Sequence, residues 1–511
     1  MDNMDIQAAW HYHDGTKHPN GHLMDPMHAF DPMRQPMLLK IYSGLEPIPL
    51  SIDLSPLGVP ALSAISTNAP TSADDHMPDI GTLARILHLS AGVTKRIAYP
   101  WGDMLFRAAA CTGALYHIEL YVVSRELPGL EAGVYHFDPN GPALRRLRSG
   151  DHRGVLVEAC ANEPAVAHAP ATMVYTDVIW RNACKYQARE YRHAFWDSGT
   201  ILAHTLAISS AHSMAAKVVA GFVDDSVSRL LDLDIRREVA LALVPLGYAR
   251  ETAPQLTLDV SPMSLETEPL SDGHRDFPAI REIHLASYLT TGEEVGAWRG
   301  EPPPTTIPEP SGQLTPLTPL VGEELPLDPI ERVIVRRGST RRFAPEPIAF
   351  QQLSTALQRS TQGIPADFLE SPAASLNDAY LIVNSVDGLE PGAYVYHRDR
   401  QALELLRKGN FRREAGHLGL NQALPADAGV AVFFLCDLGP VLQRFGNRGY
   451  RAAQLDASIA AGRLYIAAYA QGLGATGLTF FDDDVTHFFS PHSQSKSVMF
   501  LVALGRRARR G

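Results

Sequence analysis

Two short stretches of the chain carry groups suited to chemistry. Lys185 and Tyr186 set a primary amine beside a phenol, two groups able to take, hold or pass a proton. The plainer reading of the pair is a surface lysine and a core tyrosine at a helix start. Much further along, the run from Arg336 to Phe343 (RRGSTRRF) gathers guanidinium forks around hydroxyls, donors that suit the oxygens of a dianion. Its plainer reading is a solvated basic strand end. Early in the chain the opposite holds: between Lys40 and Arg85 there is no Lys or Arg at all. An anion could not be neutralised there without basic groups brought from elsewhere.

The elements that must position these groups occur twice. PGLEAGVYHF (128–137) matches DGLEPGAYVY (387–396), and KYQAREYR (185–192) matches RFGNRGYR (444–451), both at an offset of 259. Arg189, Tyr191, Arg192 and Asp197 thereby pair with Arg448, Tyr450, Arg451 and Asp456, and Asp224-Asp225 with Asp483-Asp484. A shared register over about a hundred residues is the mark of duplication. Each unit reads as an apolar strand, a Gly-Leu-Glu turn, a Tyr-rich strand and a further apolar strand. A long Ala- and Leu-rich helix from about Tyr191 or Tyr450 follows, and a final strand ends the unit at Gly247 or Gly505. Strands with hairpin turns alternating with helices predict an α+β sandwich. The expected organisation is a lead-in arm over 1–60, a first unit over 75–250, a linker over 251–329 and a second unit over 330–511. The linker is Pro-rich at its end, where Pro and Thr from Glu301 to Pro329 favour an extended strap.

These motifs, with the opening YHDGTKH (12–18), Gln35-Pro36 and Lys40-Ile-Tyr42, resemble the nitroreductase superfamily, and within it the SagB/ThcOx-type peptide dehydrogenases. The resemblance implies FMN held between two copies of the fold, here two halves of one chain forming an intramolecular pseudo-dimer. It maps Arg337, Ser339 and Arg341 onto the element that grips the FMN phosphate, and Arg506 or Arg507 onto the same group. Lys185 and Tyr186 map onto an active-site Lys-Tyr pair, whose counterpart in the second unit is Arg444-Phe445. Cys111, Thr112 and Gly113 correspond to a small-residue segment lying against the flavin from the opposite copy, with Cys and Thr departing from the usual pattern. Gly477, Leu478, Thr479 and Phe480 correspond to the loop whose backbone N–H meets the flavin. Phe480 stands there for a usual glycine, whereas the first unit keeps Gly221-Phe222. Gln422, with Asn421, maps near the ribityl chain. The phosphate arm thus survives only in the second unit and the Lys-Tyr pair only in the first. The resemblance therefore implies one composite pocket, one FMN per chain, and a mirror pocket that has lost both parts.

The implied activity is oxidation of thiazoline or oxazoline rings to azoles in a modified peptide, with a cyclodehydratase as a partner. An NAD(P)H-dependent nitro- or quinone-reductase and a non-catalytic scaffold subunit are the alternatives. Bulk properties bound the rest. A chain of 511 residues calls for more than one core, and a net charge of −11 argues against general nucleic-acid binding. The four cysteines form no CxxC pair, and the sequence offers neither a signal peptide nor an apolar run of about 18 residues. A cytoplasmic monomer or homo-oligomer is the expectation. The histidines His11, His13, His18 and His22 read as surface or interface groups rather than metal ligands, and Asp482–Asp484 as a helix N-terminal charge run.

Overall fold

The computed structural model describes all residues except 1, 20, 26, 68–73, 101, 255–259, 264, 304–306, 372–373 and 509–511. The segment 67–75, read as lacking a phosphate grip, falls largely outside the described residues, as does the end of the basic tail. The fold is α+β and doubled. In the first half a six-stranded antiparallel sheet runs in the order Pro47–Pro49, Ala143–Ser149, Gly133–Asp138, Ile118–Ser124, Ala171–Val178, Glu238–Leu246. In the second half Gln313–Pro316, Ala402–Lys408, Gly392–His397, Asn377–Val383, Val430–Cys436 and Ser497–Gly505 repeat that order, and Gly474–Leu478 adds a seventh strand. The repeated Gly-Leu-Glu turns need a left-handed residue at their first position, and Gly129 (φ +88°) and Gly388 (φ +81°) supply it.

Two long helices, Glu190–Ala211 and Arg448–Ala470, pack against each other between the sheets. Nearly every residue of both is buried, which explains their Ala-rich composition and weak amphipathicity. Their backbones approach where side chains vanish. A Cβ on Gly462 would lie 2.7 Å from Ala203 Cβ, and one on Gly199 would collide with Ser458. Trp196 Nε1 donates to Gln454 Oε1 at 2.6 Å across the same seam.

At the start of each long helix a pair of buried arginines reaches into the other half. Arg189 and Arg192 grip Asp482 at 3.0 and 2.6 Å, while Arg448 and Arg451 grip Asp224 at 2.6 and 3.0 Å. Each aspartate opens a short helix, Asp482–Phe489 or Asp224–Leu231. This corrects the expected register: the partner of Asp224 is Asp482, not Asp483, so the offset falls from 259 to 258 before this point. Phe480, beneath Arg189, is accordingly the equivalent of Phe222, beneath Arg448, and Thr479 is the residue that replaces Gly221. Asp482 is also not a solvated charge but a buried one.

The linker 251–329 holds structure of its own. It contains the helices Pro278–Ala286 and Gly292–Trp298 besides the edge strand Gln313–Pro316. The first of these helices does for the second half what Gln7–Gly15 of the lead-in does for the first. Arg192 donates to His13 O and Thr16 Oγ1, and Arg451 donates to His284 O and Ser287 Oγ. His18 N donates to Asp482 and Leu289 N to Asp224. The repeat therefore extends through the lead-in, at an offset of 271 rather than 259, since 284 − 13 and 287 − 16 both give 271.

Burial alone would raise the Asp482 carboxyl, but Arg189 and Arg192 outweigh it and hold it well below the usual carboxylate range. Its stabilising contribution is complete above an unfolded-state pKa of about 4 and is lost as pH falls below that. Asp482→Asn should lower unfolding free energy by about 3–5 kcal/mol at neutral pH, read from denaturant midpoints, and should flatten the acid limb of the stability profile. A loss below about 1 kcal/mol would mean the clamp is surplus to the interface.

Candidate active site

Lys185 and Tyr186 close the helix Ile179–Tyr186. The chain then turns sharply through Gln187, which holds φ +52° although it is not glycine. Such backbone persists only where its surroundings over-determine it. Here the lead-in does so: Asp25 N donates to Gln187 Oε1 at 2.8 Å and Gln187 Nε2 donates to Asp25 O at 2.9 Å. Lys185 Nζ stands 5.4 Å from the ring of Phe30 and 5.2 Å from that of Tyr186. The Tyr186 hydroxyl lies against Gly113, where a Cβ would come within 2.8 Å of it. Burial, with Asp197 and Cys111 next, pushes its phenol well up, so it is a neutral hydroxyl near pH 7.

The Cys111–Gly113 segment is fixed from below by Asp197 on the first long helix. Its carboxylate accepts from Thr112 N at 2.8 Å, Thr112 Oγ1 at 2.8 Å and Cys111 Sγ at 3.0 Å. His117 Nε2 meets the same carboxylate at 2.8 Å, and His117 Nδ1 meets Asp177 at 2.7 Å. Burial would lower His117, but Asp177 and Asp197 hold it well above its ordinary value, as an imidazolium. Cys111 is pushed up to about 11 by burial and then Asp197, so it is a thiol and not a nucleophile. A small opening lies here, lined by Arg107, Cys111, Tyr116 and Asp197 among others.

The second half comes to this opening with Arg337. Its Nε donates to Ala108 O at 2.8 Å and its guanidinium covers the ring of Tyr465. Its Nη1 is buried without a hydrogen-bond partner. Gly477 N donates to Tyr465 Oη, and Phe500 and Phe480 pack around Trp196 at 5.3 and 5.6 Å. Trp196 meets His193, which meets Tyr186 at 4.7 Å. A continuous aromatic floor thus joins the Lys-Tyr pair to the Gly477–Phe480 loop across the two halves. Thr479 Oγ1 and Arg189 Nη2 are likewise buried and unpartnered.

The remaining expected residues are less central. Ser339 is half-buried and Arg341 is exposed. Arg507 stacks on Tyr469, and its backbone pairs with Phe343. Arg506 is exposed and caps Pro347 O. Leu478 packs against the small cluster of Phe343, Ala428 and Ala503. Gln422 spends its side-chain amide on Gly419 O in its own turn, and no described contact joins it to Arg337. Sequence reasoning passed over Asp197, Trp196 and Tyr465 as site residues. Asp197 had a signal, its pairing with Asp456 across the repeat.

The sequence pattern of the nitroreductase family matches residues 334–506. The structure superposes on that of an Anabaena variabilis protein assigned as a nitroreductase, with a TM-score of 0.77 and 27% identity, covering 98% of this chain and 99% of that one. Residues 334–506 thus carry a nitroreductase-family domain, and the doubled fold as a whole is shared with the Anabaena protein. A Methanocaldococcus jannaschii protein assigned as a nitroreductase is 24% identical over 165 residues, which are 32% of this chain and 78% of its own length. The microcin B17-processing protein McbC of Escherichia coli is 26% identical over 137 residues, 26% of this chain and only half of McbC.

A doubled nitroreductase fold has a second, mirror-related pocket, and it is filled. Trp298, contributed by the segment between the halves, packs on Phe445 at 5.3 Å and donates to Phe445 O at 2.9 Å. A Cβ on Gly221 would lie 2.8 Å from the Trp298 ring. The Asp367 carboxylate takes the backbone N–H groups of Ala220 and Gly221 at 2.9 and 2.8 Å. These are the counterparts of the loop donors around Thr479. Arg444, in place of Lys185, faces away and caps Arg299 O at 2.8 Å. Trp298→Ala should empty this plug and cost about 3–5 kcal/mol in a denaturant titration. A cost under about 1 kcal/mol would mean the pocket collapses freely and the plug is not a packed part of the core.

Proposed function

We propose that the chain is an FMN-dependent oxidoreductase of the SagB type that oxidises azoline rings to azoles in a modified peptide. One observation carries the cofactor part of this reading. Two buried polar atoms of the second half, Arg337 Nη1 and Thr479 Oγ1, have no partner, and Arg337 is held on Ala108 O next to the first-half opening at Cys111. Buried polar atoms without partners are rare and ask for a ligand. A phosphate suits Arg337, with Ser339 two residues on, and small residues at Cys111–Gly113 let a flat ring approach the backbone. Bound FMN supplies a two-electron acceptor, which the protein's own side chains lack.

The chain's own work is positional and protonic. The aromatic floor of Trp196, Phe480 and Phe500 excludes water beneath the ring. Tyr186, held neutral by burial, donates or relays a proton, and the Lys185 amine is the acceptor of the pair once a substrate covers it. Converting an azoline to an azole removes two electrons and two hydrogens, one leaving as a proton to this pair. Molecular oxygen is the proposed final acceptor. The partial likeness to McbC, whose name says that it processes microcin B17, supports a processing role of this kind, and a cyclodehydratase partner is part of the same proposal. No described helix is long and apolar enough to cross a membrane.

The purified protein should release about one FMN per chain. Two would overturn the reading of the mirror pocket as plugged, and none after adding FMN would favour a scaffold role. Arg337→Ala should weaken FMN binding by roughly 10- to 100-fold, measured by flavin fluorescence titration. Unchanged binding would remove Arg337 from the site.

The Lys185→Ala/Tyr186→Phe double variant should keep its flavin and lose azoline turnover by about 10²- to 10⁴-fold. Full turnover in that variant would sink the proton-transfer role. Rapid bleaching of the flavin by NADPH, with no azoline oxidation, would point instead to a nitro- or quinone-reductase.

A further inference from the structure

Away from the interface, on the second sheet, three ligating side chains converge that the proposed reaction does not use. His397 ends the strand Gly392–His397, Glu404 lies in the neighbouring strand Ala402–Lys408, and His492 sits in the turn between the helix Asp482–Phe489 and the last strand. One donor atom from each, His397 Nε2, Glu404 Oε2 and His492 Nε2, lies within 4.8 Å of the other two. His397 and Glu404 are almost fully buried, while His492 keeps about a tenth of its side chain at the surface.

The atoms around the cluster orient these donors inward. Glu404 Oε1 is occupied by two backbone donors, Ser311 N at 2.8 Å and Gly312 N at 2.7 Å, which leaves Oε2 to face the histidines. His492 Nδ1 meets the buried Tyr380 hydroxyl at 2.9 Å, and that hydroxyl has His492 O as an acceptor. The Tyr380 contact engages Nδ1 and leaves Nε2 as the ring nitrogen that faces the cluster. That nitrogen is buried, has no hydrogen-bond partner, and points at a carboxylate oxygen 4.0 Å away. A cation between this nitrogen and the carboxylate would satisfy both groups. The nearby Lys496 does not provide one, since it is paired with Asp378 at 2.9 Å.

We propose that His397, Glu404 and His492 form a binding site for a divalent transition metal, zinc being the best match. Two imidazoles and a carboxylate are a common zinc set, with the fourth position open to water, here on the exposed edge of His492. Tetrahedral bonds of about 2 Å place ligand atoms about 3.3 Å apart. The present separations of 2.8 Å (His397 to Glu404) and 4.0 Å (His492 to Glu404) straddle that value, so small side-chain shifts would close the site. The backbone N–H groups on Glu404 and the Tyr380 hydroxyl on His492 are the outer partners that such ligands usually have. The bound ion would tie the turn before the last strand to the neighbouring hairpin. Through Glu404 it would also tie the segment at Ser311 and Gly312 that leads into the edge strand Gln313–Pro316. Its role would be structural and independent of the flavin pocket.

The test is zinc content by inductively coupled plasma mass spectrometry after expression in zinc-supplemented medium and extensive dialysis. Circular dichroism serves as the fold control, so the result does not depend on flavin binding. About one zinc per chain is expected in the wild type, falling to less than about a tenth in His492→Ala and in Glu404→Gln. His417→Ala, which removes an exposed histidine outside the cluster, should keep the metal. Treatment with EDTA should lower the melting temperature of the wild type and leave that of folded His492→Ala unchanged. A folded wild-type protein without stoichiometric zinc would overturn the assignment, as would retention of zinc by folded His492→Ala.

Discussion

The structure depends on two crossed ion clusters. Each half sends a pair of arginines into the other, and each pair closes on an aspartate that opens a short helix. Four guanidinium groups and two carboxylates buried at one seam leave excess positive charge, which the carbonyls of His13, Thr16, His284 and Ser287 take up. The halves cannot part without stranding those charges in an apolar interface, and a stranded buried charge costs several kcal/mol. Hydrophobic burial along the long helices supplies the bulk of the cohesion. The clamps fix register, because only one sliding position of the helices brings each aspartate within reach of its arginines.

That register positions both pockets. Arg189 and Arg448 lie over the rings of Phe480 and Phe222, which belong to the proposed site and its mirror. With such a symmetric frame, the difference between the pockets comes entirely from what each half still contributes. One keeps an arginine with a free Nη1, a small-residue loop and a Lys-Tyr pair. The other receives a tryptophan and a carboxylate that satisfy the loop donors internally. Buried backbone donors must find acceptors or be left unsatisfied, and Asp367, packed beside Trp298, satisfies these.

Much of this was legible in the sequence, and for identifiable reasons. The repeats at 128–137 and 387–396, and at 185–192 and 444–451, survive because turn glycines and interface arginines tolerate few substitutes, so the doubled fold and both long helices could be read directly. The boundaries of the segment 251–329 were harder. The helix Pro278–Ala286 repeats the role of Gln7–Gly15, but its backbone carbonyls make most of the contacts, and carbonyls leave no trace in side-chain identity. The one-residue slip that pairs Asp224 with Asp482 was hidden because Asp482-Asp-Asp484 offers three equivalent letters, and only the arginines choose among them. Asp197 was visible as a repeated residue but not as the support of Cys111 and Thr112, since that role depends on a contact over 85 residues away.

The same asymmetry bears on what duplication allows. In a homodimer any change in one pocket appears in both, so a plug such as Trp298 would abolish the cofactor site altogether. Fusing the copies separates the two pockets genetically while the clamps keep them mechanically joined. One pocket is then free to turn into core, exchanging a polar cavity for a buried tryptophan and two satisfied N–H donors. The added packing lies beside Arg448 and the end of the second arginine clamp, where Trp298 stands 6.0 Å from the guanidinium. The filled mirror pocket thereby braces the interface that positions the proposed site.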